Sequence, residues 1–208
     1  DFVPKLSGTI SKDIEKQEKE IVEKVKAAAR SRIGRAASKP PLRTETDRVV
    51  PTNSKHADRV VAIGVSTGGP KTILEVLPKF PADLSAAVVI VQHMTESFTA
   101  SFAQSLNRYS AMPVKEAEAG DVLMNGHAYV AAGGKHLVFA RRSGGGYYAR
   151  YVTQPSDSLH IPSVDVMMNS AAVHFGSRTV GVLLTGMGSD GADGMVRIRQ
   201  SGGGTIAE

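Results

Sequence analysis

Residues Gly64-Val65-Ser66-Thr67-Gly68-Gly69-Pro70 place a serine in a glycine-rich turn, directly after the apolar run Val60 to Ile63 and directly before a helix-compatible stretch, Lys71 to Leu77. A Gly-x-Ser-x-Gly turn between strand and helix lifts the hydroxyl clear of the backbone, and its glycines remove side chains that would crowd it. The helix that follows aims its free N–H groups and the positive end of its dipole at the same spot. Negative charge forming beside Ser66 is therefore met by donors. The chemistry this suits is acyl transfer with Ser66 as nucleophile, on condition that a base stands nearby. The competing use of such a turn, cradling an anion or nucleotide without chemistry, finds no support here, because the turn carries neither Gly-x-Gly-x-x-Gly nor Gly-Lys-Ser/Thr.

Two more apolar runs end on residues that complete this chemistry. Ala87 to Gln92 leads directly into His93, and Thr179 to Leu184 leads into Thr185-Gly186-Met187-Gly188-Ser189-Asp190-Gly191. In open α/β sheets sites form at the carboxyl edge of the strands, so Ser66, His93 and Asp190 converge there if all three runs are parallel strands. His93 then takes the serine proton during attack on a carbonyl carbon and returns it to the leaving group, while Asp190 holds the opposite ring nitrogen. The Thr67 N–H and the glycine-flanked Met187 backbone are the oxyanion candidates. The order serine, histidine, aspartate differs from the orders of α/β-hydrolases, chymotrypsin and subtilisin.

Each choice has a plainer competitor. Asp193 shares the glycine-rich loop with Asp190, and spacing favours Asp190 without excluding Asp193. Asp165 lies in a first helical turn, where a carboxylate compensates the dipole. His56, His127, His136, His160 and His174 read as surface or core histidines; His93 is preferred for its place at a strand end. Asp190 with Asp193 lacks the EF-hand pattern and its terminal Glu, and no metal or cofactor is expected. Met167 and Met168 read as core.

The elements that must hold these residues follow from periodicity. Strands are expected at residues 59–64, 87–92 and 179–184, and helices at 70–77, 97–108, 163–173 and 192–200, with Pro70 and Ser163 suited to helix starts. Apolar runs alternating with helices predict a doubly wound, mostly parallel α/β sheet with helices on both faces. Residues 129–132, 137–140 and 147–152, separated by Gly133-Gly134 and Ser143-Gly144-Gly145-Gly146, predict an added antiparallel β ribbon. Ser11 to Arg30 reads as an exposed helix with a narrow seam of Ile14, Ile21, Val25 and Ala28, and residues 31–58, with Pro40, Pro41 and Pro51, as a linker.

Composition removes several function classes. The 208 residues contain no cysteine, which excludes a thiol nucleophile, a disulfide framework and Cys-ligated zinc. No apolar run approaches the about 18 residues of a membrane span, nor does the sequence open on a signal-peptide pattern, so a soluble cytoplasmic protein without membrane insertion is expected. The net charge of +5 lies mostly in the appendage: residues 1–58 hold 13 Lys+Arg against 9 Asp+Glu, the remainder 12 against 11. Few aromatics accompany that balance, so no nucleic-acid partner is expected.

Four blocks in order carry a family resemblance: Ala62 to Pro70, Val91-Gln92-His93-Met94, Pro162-Ser163-Val164-Asp165-Val166, and Leu184 to Gly191. Together they resemble the catalytic domain of the chemotaxis protein-glutamate methylesterases, which are also protein-glutamine glutaminases. The resemblance implies Ser66, His93 and Asp190 as the catalytic triad, deciding against Asp193, and a γ-methyl glutamyl ester on methyl-accepting chemotaxis receptors as substrate, cleaved to glutamate and methanol. Receptor glutamines would be deamidated through the same acyl-enzyme. Asp1-Phe2-Val3-Pro4-Lys5 resembles the last strand of the receiver domain that precedes the esterase in this family, with Leu6 where a proline is usual. Residues 1–30 are thus expected to be a receiver remnant, 31–58 the linker and 59–208 the esterase domain, cut short at its C-terminus. A regulatory receiver domain and its histidine kinase are the implied partners in the full-length protein.

Overall fold

The computed structural model describes residues 55–208 together with Val22 and Lys26. The chain divides into two units, 1–39 and 40–208. In the first, Val22 and Lys26 are exposed helical positions; the rest of the expected helix, the receiver-like strand and most of the linker lie outside the described residues.

In the second unit the elements run β1 (Val60–Val65), α1 (Gly69–Val76), β2 (Ala87–Gln92), α2 (Glu96–Tyr109), β3 (Val114–Glu116), β4 (Ala128–Val130), β5 (His136–Arg141), β6 (Tyr147–Val152), α3 (Val164–Phe175), β7 (Thr179–Leu183), α4 (Ala192–Gln200) and β8 (Gly204–Ala207), with 3-10 turns at Leu77–Lys79 and Gly176–Arg178. Six strands form one sheet in the order β3-β4-β2-β1-β7-β8, every pairing parallel. β5 and β6 form a separate antiparallel ribbon.

Successive residues of a strand face opposite sides, so a sheet covered on both faces needs uninterrupted apolar strands. β1 and β2 meet that need and split their side chains between two cores. Ala62, Val89 and Val91 pack with α3, α4 and the ribbon, whereas Ile63, Val65, Val88 and Ile90 pack with Ile73 and Leu77 and with Phe102, Ala103 and Leu106 of α2. The doubly wound architecture is thus as the alternation predicted, and each of the four helices expected between residues 70 and 200 lies within two residues of its predicted ends.

Two expectations need correction. Residues 129–132 were expected in the ribbon, but Ala128–Val130 pairs in parallel with both β2 and β3 inside the main sheet; its all-buried trio fits a two-faced core better than a half-exposed ribbon. The short strands β3 and β8 had no counterpart in the sequence reading, since Val114–Glu116 is only three residues long and Gly204–Ala207 begins on glycine. At the end of the segment read as linker, Ala57 is fully buried, donates its N–H to Leu123 O at 2.8 Å and follows His56, which bridges Met124.

The strand order reverses about β1, which has β2 on one side and β7 on the other. A crevice at the carboxyl edge of such a switch point is the expected place for a site.

Candidate active site

Ser66 follows β1 at this edge. Its N–H bonds Thr185 O at 3.0 Å, and the Thr185 hydroxyl donates to Thr67 O at 3.0 Å, so the serine turn is fastened to the loop after β7. Gly68 has φ 82, a conformation that favours glycine, and caps α1 with Pro70 in its first turn. A side chain on Gly69 would run into Gln92 Oε1, and one on Gly186 would meet Ser66 Cβ at 3.0 Å. The glycines on both sides of Ser66 are therefore places where backbone and neighbours approach too closely for a side chain.

The parallel register pairs Val65 with Gln92, which brings His93 beside Ser66. His93 N–H donates to Val65 O at 3.1 Å, and the buried Gln92 carboxamide donates to Ser66 O at 3.0 Å and to His93 O at 3.2 Å. From that footing the imidazole lies 3.0 Å from Ser66 Oγ through Nδ1 and 2.7 Å from Asp190 Oδ2 through Nε2. An ionised carboxylate only accepts, so the proton of the neutral ring sits on Nε2 and Nδ1 is left to accept from the serine hydroxyl. The ring is used in the sense opposite to the chymotrypsin arrangement, where Nε2 faces the serine.

Asp190 stands against the N-terminus of α3. Its Oδ1 accepts from the Ser163 hydroxyl at 2.8 Å and Asp165 N–H at 2.9 Å, and its Oδ2 from Val164 N–H at 2.8 Å besides His93. Burial alone would raise its pKa. The bonds from His93, the Asp165 and Val164 amides and Ser163 outweigh that and hold the carboxyl well below the usual range. Ser163 meanwhile accepts from Val166 N–H at 3.3 Å as the cap of α3. Gly64 makes room for this helix end, since a side chain there would overlap Val164.

Asp165 returns the arrangement by accepting from Gly194 N–H at 2.7 Å, so each of two helix starts is held by an aspartate from the other's segment. Burial pushes the Asp165 carboxyl up, the Gly194 and Gly191 amides oppose this, and Asp190 and Asp193 add to the rise. Asp193 itself lines a different hollow, with Asn169, Val173 and Arg197, and does not reach His93. Of the two aspartates left open by spacing, Asp190 makes the contact.

Ser66, His93, Asp190 and Met187 line one hollow of about 440 Å³, bounded also by Leu183 and Glu208. Of the two oxyanion candidates, Met187 lines this hollow and is 77% exposed, while Thr67, next to Ser66, is exposed but not part of its lining. Sequence reasoning missed His160, whose ring stacks on His93 with centroids 3.8 Å apart and planes 18° from parallel. Nor did it give Gln92 a role or Ser163 more than a cap. The adjacency of Gln92 to His93 was the available signal for the first; no local pattern marks the other two. Among the described residues no group of three His, Cys, Asp or Glu side chains is placed to hold a metal ion.

The family description "CheB methylesterase" matches residues 61–208. The chain is 44% identical over 218 residues to protein-glutamate methylesterase/protein-glutamine glutaminase 3 of Syntrophomonas wolfei, covering 100% of this chain and 61% of the relative. It is 45% identical over 208 residues to the protein-glutamate methylesterase/protein-glutamine glutaminase of Salmonella typhi, covering 100% and 58% respectively. Among solved structures, the CheB methylesterase catalytic domain of Thermotoga maritima matches with a TM-score of 0.69 and 37% identity, over 72% of this chain and 78% of that one. The chain thus spans about 60% of the length of these curated relatives.

Proposed function

The chain belongs to the CheB methylesterase family, and on that premise we propose that it is a serine hydrolase that removes methyl groups from glutamate γ-methyl esters of methyl-accepting chemotaxis receptors and deamidates receptor glutamines. The observation that carries the reading is the continuous path from Ser66 Oγ through His93 to Asp190, at 3.0 and 2.7 Å. Ser66 Oγ attacks the ester carbonyl carbon as its proton passes to His93 Nδ1. The oxyanion that forms is met by the Thr67 and Met187 N–H groups, and Asp190 stabilises the imidazolium through Nε2. When the tetrahedral adduct collapses, the bond to the methoxy oxygen breaks, His93 returns the proton to that oxygen, and methanol leaves. Water, deprotonated by the same nitrogen, attacks the glutamyl-enzyme and restores Ser66 and a free glutamate. A glutamine side chain follows the same course with ammonia as the leaving group.

In the whole protein, we assign residues 1–30 to the end of a receiver domain, 31–58 to a linker and 59–208 to the esterase domain. A receiver controlled by a histidine kinase would then govern access to the site, in the cytoplasm. The sequence likeness of Asp1 to Lys5 to a receiver strand supports this, as does the greater length of the relatives.

The test is methanol release from methylated receptors by the Ser66→Ala protein. It should fall by about 10⁶-fold if the three groups act as a unit. Undiminished release would end the esterase reading.

A further inference from the structure

His136, at the start of β5, is completely buried and takes no part in the steps above. Its Nε2 lies 2.9 Å from Pro155 O and its Nδ1 3.1 Å from the Ser163 backbone nitrogen. A carbonyl oxygen only accepts and a backbone N–H only donates, so the ring is neutral with its proton on Nε2. Pro155 and Ser163 are the two ends of one loop. Within it, His160 stacks on the His93 ring; at its end, Ser163 gives its hydroxyl to Asp190, and the next two amides, of Val164 and Asp165, hold the same carboxylate. A third tie, from Gly134 N–H to Ile161 O at 3.3 Å, comes from the turn just before His136.

We propose that His136 is a positioning residue for the reaction: its buried ring, anchored on Pro155 O, holds the Ser163 end of the loop, and that end sets Asp190 against His93. The proposal rests on the esterase reading for its catalytic consequence, but its geometric content is independent of it. Without the ring, the Ser163 N–H loses its acceptor in a site closed to water, and the start of α3 is free to draw Asp190 away from His93. Displacements on the order of 1 Å in such relays cost about 100-fold in rate.

The two arms can be separated in the full chain. In His136→Leu both are lost. In His136→Asn the side-chain oxygen stands where Nδ1 stood and keeps the Ser163 arm; in His136→Gln the longer amide keeps the Pro155 arm. Three readouts are taken: the thermal melt, the rate at which a fluorophosphonate labels Ser66, and the downfield proton resonance of His93 Nε2–H bonded to Asp190. We expect His136→Leu and His136→Gln to lose or shift that resonance and to label about 100-fold more slowly, while His136→Asn keeps the resonance and labels within about tenfold of the parent. If His136→Leu does not fold, the contrast between His136→Asn and His136→Gln decides. Parent-like resonance and labelling in His136→Gln, or equal losses in His136→Asn and His136→Gln, would overturn the proposal. A parent chain whose Ser66 does not label speaks against the esterase reading instead, and the resonance still decides the clamp.

Discussion

Replacing Asp190 by Asn keeps the shape of the side chain and removes its charge, and the surrounding donors limit what the amide can do. Its two positions are unequal. One receives the Ser163 hydroxyl and Asp165 N–H; the other receives Val164 N–H and His93 Nε2. With the amide oxygen in the first position, the NH₂ faces Val164 N–H and donates to His93 Nε2, which drives the ring proton to Nδ1 and blocks acceptance from Ser66. With the oxygen in the second position the ring keeps its working tautomer, but the NH₂ faces Asp165 N–H. Either way one amide at the start of α3 loses its acceptor, a cost of about 1–3 kcal/mol in stability. The first orientation predicts a fall in kcat of about 10⁴-fold, as for a serine hydrolase held in the wrong tautomer. The second retains more, because only the charge facing the imidazolium is lost. Denaturant unfolding gives the first quantity and methanol release, or Ser66 acylation by a phosphonate, the second. A kcat within tenfold of the parent, in a protein that carries the stability loss, would refute the claim that Asp190 works through His93.

The remaining expectations are narrower. Gly64→Ala puts a methyl group against Val164 Cγ2 at 2.9 Å and Leu183 Cδ1 at 3.1 Å, besides overlapping Val164 Cγ1; it should cost about 1–3 kcal/mol in denaturant unfolding, with a fall in kcat because Val164 N–H holds Asp190. Gln92→Met removes the donors to Ser66 O and His93 O, which should cost about 1 kcal/mol each in stability and lower kcat more than it raises KM. Asp190 is depressed in the folded state, so its stabilising contribution is present above the unfolded carboxylate value of about 3.9 and is lost as pH falls towards the folded value. The stability gap between parent and Asp190→Asn should therefore narrow below about pH 4 in denaturant titrations, and a constant gap would sink that assignment.

The sequence disclosed what periodicity and punctuation can encode. The long apolar runs of β1, β2 and β7 and the helices between them were readable because burial on both faces leaves a continuous signature. That Ser66, His93 and Asp190 meet was readable because parallel strands bring their carboxyl ends to one edge. Val114–Glu116 and Gly204–Ala207 were invisible, since strands of three and four residues contain too few side chains for a pattern. Ala128–Val130 was misassigned because its flanking turns resemble those of a hairpin, and only pairing with β2 and β3 tells the two apart. His160 and His136 are of a different kind. What matters about each is which ring or which backbone atom lies opposite, and that is fixed by the path of residues 155–163, where local sequence is silent.

The sense in which His93 is used follows from the strand order. Ser66 leaves β1, His93 leaves the neighbouring strand β2, and Asp190 comes from the loop after β7 on the far side of β1. Neighbouring strands are about 4.8 Å apart, so Ser66 stands one spacing from the histidine's strand and the carboxylate's strand stands two. Within the ring Nδ1 is bonded to Cγ, close to the backbone, while Nε2 lies at the far end. The near nitrogen therefore meets the adjacent strand's serine, and the far nitrogen reaches towards the more distant partner, which the Thr185–Gly191 loop and the start of α3 carry inward to 2.7 Å. A sheet with the histidine and aspartate strands adjacent would invite the opposite use of the ring. The tautomer that leaves His93 Nδ1 to accept from Ser66 is thus set by topology as much as by the carboxylate, and the donors lent to Asp190 by α3 keep that carboxylate charged at the end of its reach.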